Sequence, residues 1–190
     1  MVFRLPCVGV LGVVVVLALG LACAAEKAPQ EIVDFAKAEL VRWGENPIIV
    51  QAVKAQNAKG MTLEEIKAFD ERWKATPGIA DFMKPYLENE CAKELQKLKE
   101  SAPYFAEIFV TDNQGGLVAA TDKTSDYWQG DEAKFTECFK GEEGVLYIAD
   151  VEFDESTQTY LVQVSVPVRD EGKVIGVIVV GIDVDAFLAQ

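Results

Sequence analysis

The stretch VSVPVRDEGKVIGVIVVGIDV, residues 164–184, decides the fold. Before its turn, Val162, Val164, Val166 and Val168 alternate with Gln163 and Ser165, the period-two pattern of a strand with one apolar face. Asp170-Glu171-Gly172-Lys173 has hairpin-turn composition. After it, Val174 to Val184 is almost continuously apolar. A strand without a polar face must be covered on both sides, so this one is expected at the centre of a sheet. Working back along the chain, Ala106 to Thr111, Leu117 to Ala120, Val145 to Phe153 and Thr159 to Val168 are further strand-like runs. Five strands joined mostly by tight turns predict one antiparallel sheet over about 104–188.

The preceding residues, 30–101, have helical spacing instead. Ile32, Phe35, Ala36, Leu40 and Trp43 recur at intervals of three and four, and Gly44 closes the stripe. Asn46-Pro47 reads as an N-cap followed by proline at the first helical position. Thr62-Leu63-Glu64-Glu65 has the form of a capping box ahead of Ile66, Phe69 and Trp73. Beyond Thr76-Pro77-Gly78, a long helix is expected to carry Phe82, Tyr86, Leu87, Cys91, Leu95 and Leu98. The fold class is therefore α+β: long N-terminal helices, then a five-stranded antiparallel sheet.

The first 25 residues are set apart. Arg4 precedes the apolar run VGVLGVVVVLALGLA and the small residues Ala22-Cys23-Ala24-Ala25, the layout of a secretory signal peptide. Cys23 is also placed as a lipid-acceptor cysteine would be, although Gly20 stands where a large aliphatic residue is expected. The remainder, 26–190, is read as one domain of a periplasmic or secreted protein. Its charge narrows the functions open to it. The chain carries −13 at pH 7 and has no histidine, and Arg4 is the only charged side chain before residue 26. Such a surface repels nucleic acid and favours cationic ligands. The lack of histidine removes His-dependent triads and most zinc sites, so no catalytic residues, cofactor or metal are expected. Cys91 and Cys138 are either a disulfide or two small buried hydrophobes.

The segment TSDYWQGDEAKF, residues 124–135, concentrates aromatic and acidic side chains between a strand and a helix. Tyr127 and Trp128 offer flat apolar walls with polar tips, and Asp126, Asp131 and Asp150 are acceptors for an ammonium. Asp131 reads equally well as the cap of the helix running through Phe135, and Trp128 as core. Asp112-Asn113-Gln114-Gly115 reads as a turn. Asp150, Glu152 and Asp154 alternate along one strand and share a face.

With FVTDNQGGLVAAT, TSDYWQGDEAKF, VLYIADVEFDEST and the P-V-x-D-x-x-G-K-V-I-G hairpin in this order, the chain resembles a Cache domain, the PAS-like extracytoplasmic sensor of bacterial receptors. The resemblance spans about residues 30–188. It implies that a small-molecule ligand lies between the sheet and a cover formed by Thr121–Phe139. It also implies contacts from Tyr127, Trp128 and Asp131, and an amine contact from Asp150. Amino-acid-binding members usually add an arginine ahead of a W-Y-like pair, and none stands near Tyr127 here. Since the sequence ends at Gln190, just after the last strand, the resemblance further implies a stand-alone domain acting through a membrane receptor or kinase partner. The competing expectation is a ligand-free interaction module that forms a homodimer through its N-terminal helix.

Overall fold

A computed structural model describes residues 26–140, 144–155 and 157–190; residues 1–25, which the sequence reading assigns to a signal peptide with Cys23 as a candidate lipid acceptor, lie outside the described residues. The N-terminal half holds α1 (Gln30–Ala38), a 3-10 turn (Leu40–Glu45), α2 (Pro47–Asn57), α3 (Leu63–Lys74), α4 (Lys84–Leu87) and α5 (Glu90–Glu100). The sheet follows as β1 (Phe105–Thr111), β2 (Leu117–Ala120), β3 (Tyr147–Asp154), β4 (Thr159–Asp170) and β5 (Lys173–Asp183), with α6 (Ala133–Phe139) between β2 and β3 and α7 (Val184–Leu188) closing the chain. All pairings are antiparallel and the order is β2-β1-β5-β4-β3. β5 is central, as its unbroken apolar character predicts.

Local signals place most boundaries. Asn46 Oδ1 accepts from Ile48 N at 2.9 Å, and Thr62 and Glu65 cap each other reciprocally. Two expected helices are broken. The stripe from Ile32 to Trp43 ends α1 at Ala38 and continues as the 3-10 turn, bringing Gly44 against β4; a Cβ there would lie 2.2 Å from Pro167 O. The expected long helix through Phe82 and Leu98 stops at Leu87, because the Asn89 side chain accepts from Ala92 N at 2.8 Å and starts α5 afresh.

The sheet separates two cores. Its first face (Ile108, Val110, Val162, Val164, Val166, Ile178, Val180 and Ile182) meets α1, α2 and α5. Its second face, with Phe109, Val177 and Val179, is covered by α3, the segment leading into α6, and α6 itself. Cys91 belongs to the first core and Cys138 to the second. The sheet stands between them, so both are free thiols rather than a disulfide. Burial pushes each thiol up to about 12, which keeps them protonated and unreactive.

The cover is stitched to the sheet and to α3. Leu117 N donates to Tyr127 O at 3.0 Å and Gln129 N to Gly115 O at 2.8 Å. From the other side Asp70, only 4% exposed, accepts from Tyr127 N at 2.8 Å and Trp128 N at 3.1 Å through Oδ1. Its Oδ2 meets Lys74 Nζ at 2.9 Å. Asp70→Ala strands two backbone donors in a largely buried place, and we expect it to cost about 2–3 kcal/mol. Asp70→Asn keeps the Oδ1 acceptor and is expected to cost clearly less; urea unfolding of both variants checks the difference.

Candidate functional site

The five side chains singled out in sequence do not all meet: Asp126, Trp128 and Asp131 share one depression, and Tyr127 and Asp150 lie apart from it. Tyr127 is fully buried among Phe69, Trp73 and Tyr86, with centroids 4.6–5.9 Å away, and its hydroxyl accepts from Gln56 Nε2 at 3.1 Å. Desolvation holds the Tyr127 phenol above its ordinary range. Trp128 is half-buried; its Nε1 donates to Gln114 O at 2.8 Å, and Lys67 Nζ lies 4.3 Å above its ring. Together with Asp126 and Asp131, Trp128 lines an outer depression facing α3. Asp131 does not cap α6. The N-cap is Glu132, whose backbone carbonyl accepts from Phe135 N and Thr136 N, so the helix starts one residue later and leaves Asp131 exposed on the rim. Asp150 lies elsewhere, on β3, paired with Lys27 at 2.9 Å.

The second face of the sheet presents a different constellation. A cavity of about 260 Å³ lies between the sheet and the cover, with Glu107, Phe109, Gln129, Lys134, Asp154 and Gln163 on its walls. Glu107 on β1 faces Gly181 on β5, and Gly181 faces Gln163 on β4. Because Gly181 has no side chain, the two neighbours meet across an intervening strand, with Gln163 Nε2 donating to Glu107 Oε1 at 2.9 Å. A Cβ on Gly181 would sit 2.7 Å from Glu107 Cγ. Burial raises the Glu107 carboxyl above 4.5, and the Gln163 hydrogen bond only partly opposes this.

Gln129, 2% exposed, lines the same cavity. Its Nε2 donates to Asp126 O at 2.9 Å, while its Oε1 is buried and has no hydrogen-bond partner among the described residues. A buried acceptor in that state costs about 1–3 kcal/mol. Two cations also line the cavity. Lys123 Nζ is engaged by Thr76 O at 2.8 Å. Lys134, with its side chain 15% exposed, contacts Glu132 at 2.8 Å and lies 5.5 Å from the Phe109 ring centroid.

A second groove of about 180 Å³ adjoins this cavity and shares Lys134, Asp154 and Gln163 with it. Asp150, Glu152 and Asp154 line it together, the common face that their alternation predicts. A bulge between Ile148 and Val151 turns Asp150 toward this groove while both apolar neighbours stay on the first core. A hollow of about 830 Å³ between α2 and α4–α5 is mainly apolar, and two of its polar side chains are spent internally. Gln56 bonds Tyr127 and Lys59, and Asn89 bonds Pro85 O and Val118 O.

Sequence reading missed Glu107, Gln129, Lys134 and Gln163. The available signals were an acid inside the otherwise apolar run FAEIFVT and a glutamine at a polar position of the valine alternation of β4; both stand opposite Gly181 of β5.

No family model matches the sequence, and no curated protein matches it. Solved structures do resemble the chain. The extracellular domain assigned to the histidine kinase vpHK1S-Z8 matches with a TM-score of 0.51 at 8% identity, over 84% of this chain and 53% of that one. The sensor domain of the Vibrio cholerae histidine kinase DctB gives 0.46 at 18% identity, over 83% and 52%. The ligand-binding domain of the Campylobacter jejuni chemoreceptor Tlp3, solved with 4-methylisoleucine, gives 0.41 at 16% identity, over 79% and 62%. The chain thus spans between about half and three fifths of these chains' lengths. The α+β architecture with its five-stranded antiparallel sheet is the fold that the resemblance implied, and among the described residues no helix is long and apolar enough to cross a membrane.

Glu107 has a defined pH signature. Its folded-state pKa exceeds the unfolded value, so its contribution to stability is present below about 4.5 and lost as pH rises through the raised value. Glu107→Gln should therefore gain in melting temperature relative to wild type as pH increases from 4 to 7. Gly181→Ala should be destabilised by about 1–3 kcal/mol through overpacking. Both follow from melting curves across pH.

Proposed function

We propose that this protein is an extracytoplasmic sensor domain that binds an amine-bearing small molecule in the cavity between sheet and cover, and signals through a membrane receptor or kinase partner. One observation supports the reading: Glu107, a half-buried carboxylate, and Gln129, whose buried carbonyl oxygen has no partner among the described residues, line one cavity. Both are acceptors. An ammonium supplies three N–H donors and a positive charge, so one ligand group satisfies the orphaned oxygen and neutralises the desolvated acid. Phe109 gives the apolar floor that such pockets need. The −13 charge adds weak long-range attraction for cations.

In this reading the sequence-selected residues divide their work. Tyr127 and Trp128 hold the cover in place, Asp126 receives the Gln129 amide through its backbone, and Asp150 borders the entrance. Asp131 sits on the outer rim. Residues 1–25 direct export to the periplasm as a signal peptide. The resemblance to sensor folds supports a role in signalling, and the partner provides the output.

The experiment is a thermal-shift screen against amines, amino acids and carboxylates, with wild type beside Glu107→Gln. An amine present at a hundredfold excess over its dissociation constant should stabilise wild type by about 2.7 kcal/mol and leave the variant unmoved. Stabilisation by carboxylates alone, or no response to any amine from a cooperatively melting protein, would overturn the reading.

A further inference from the structure

α2 carries more apolar surface than the sheet uses. Ile49, Val50 and Val53 enter the first core. Ile48, Ala52 and Ala55, at helical spacing on a neighbouring stripe, line the hollow of about 830 Å³ between α2 and α4–α5. Pro85 and Tyr86 of α4 and Val118 of β2 line it as well. The hollow lies at the β2 edge of the sheet and shares no lining residue with the cavity of Glu107. Ile48 is 41% exposed, so this stripe is left largely uncovered by the described residues. The volume falls within the range of small-molecule sites, roughly 300–1,000 Å³.

Two charged side chains border this apolar space, Lys59 and Glu90. Glu90 is paired with Lys93 at 2.6 Å. Lys59 is held differently: its Nζ donates to Gln56 Oε1 at 2.7 Å. Gln56 is buried and is itself fixed by its bond to the Tyr127 hydroxyl at 3.1 Å. The Lys59 ammonium is thus tethered to a buried wall residue, with two of its three N–H groups left over. Among the described residues it has no carboxylate partner, in a chain whose 31 acidic side chains outnumber 18 basic ones. We propose that this hollow binds a free fatty acid of medium chain length, with the alkyl chain along the Ile48–Ala55 stripe and the carboxylate on Lys59. The length of α2, 11 residues or about 16 Å, suits an extended chain. Glu90 and the net charge of −13 oppose a second anionic group, which selects a monocarboxylate. This site does not depend on the amine-binding reading.

Probes of matched chain test both contacts: decanoate, octanoate, 1-decanol and decylamine, each below its micellar concentration. Isothermal titration of the purified protein should give decanoate a dissociation constant about tenfold below octanoate, because two more methylenes are buried. It should also bind at least tenfold tighter than 1-decanol or decylamine. Lys59→Met should bring decanoate down to the affinity of 1-decanol. Ala55→Trp fills the hollow from an exposed position and should weaken every probe at least tenfold; melting curves check that both variants are folded. If 1-decanol or decylamine binds wild type as tightly as decanoate, Lys59 reads no carboxylate and the proposal is overturned. It is equally overturned if chain length has no effect, if Ala55→Trp keeps its affinity for decanoate, or if no probe binds a cooperatively melting protein. Sedimentation equilibrium identifies the rival occupant: a dimer that Ala55→Trp dissociates, with no binding of decanoate, means that a second copy covers the stripe and the proposal falls.

Discussion

β5 has no face that tolerates water, and the architecture follows from that constraint. Val177 and Val179 point one way, Ile178, Val180 and Ile182 the other, and all are buried. A sheet built around such a strand needs a layer on each side. The N-terminal helices supply one layer directly, because their apolar stripes dock on β1, β4 and β5. The second layer is assembled from less regular parts: α3, an extended segment and the seven-residue α6. The price of covering β5 with irregular backbone is a set of amide groups that must be paired.

Asp70 resolves much of that problem. It projects from α3 and accepts two consecutive backbone donors of the cover, while the opposite edge of the cover pairs with Gly115 and Leu117. A carboxylate in a low-dielectric place makes strong hydrogen bonds and is costly to leave alone. Lys74 completes it with an ion pair at 2.9 Å. The cover is therefore held from both sides, at fixed height over the sheet. Gly115 and Gly130 permit that height, since a Cβ on Gly115 would come within 2.4 Å of Gly130 Cα. The cavity beneath owes its shape to this fixed separation.

Much of the fold was legible because its signals are local. The caps at Asn46 and Thr62, the turn at Asp112 and the central position of β5 all follow from short runs of sequence. Asn89 was the exception: its capping bond to Ala92 N competes with an apolar stripe that alone reads as one continuous helix. The site was much less legible. Sequence reading favours places where unusual residues cluster, and TSDYWQGDEAKF is such a place, yet its aromatics are committed to packing and its backbone to Asp70. The groups that converge on the cavity come from β1, β4, the cover and α6. Each is unremarkable in its own neighbourhood. Glu107 and Gln163 lie 56 positions apart, and they meet only because Gly181 leaves a gap between them, a relation that appears once strand order and register are known.

On the proposed reading Glu107 would also report occupancy of the site. Its carboxylate is partly desolvated, and one hydrogen bond from Gln163 does not fully offset that loss. A cation placed against it removes the penalty and, through Gln129, draws on the same segment that Asp70 secures, because Gln129 Nε2 bonds Asp126 O just before Tyr127. On that reading binding would be tied to the cover through the Gln129–Asp126 hydrogen bond. The neighbouring β3 edge bears the other connection, since Val151 N donates to Glu26 O at 2.7 Å and Asp150 holds Lys27. Asp150 thereby ties the residues ahead of α1 to the groove under β3.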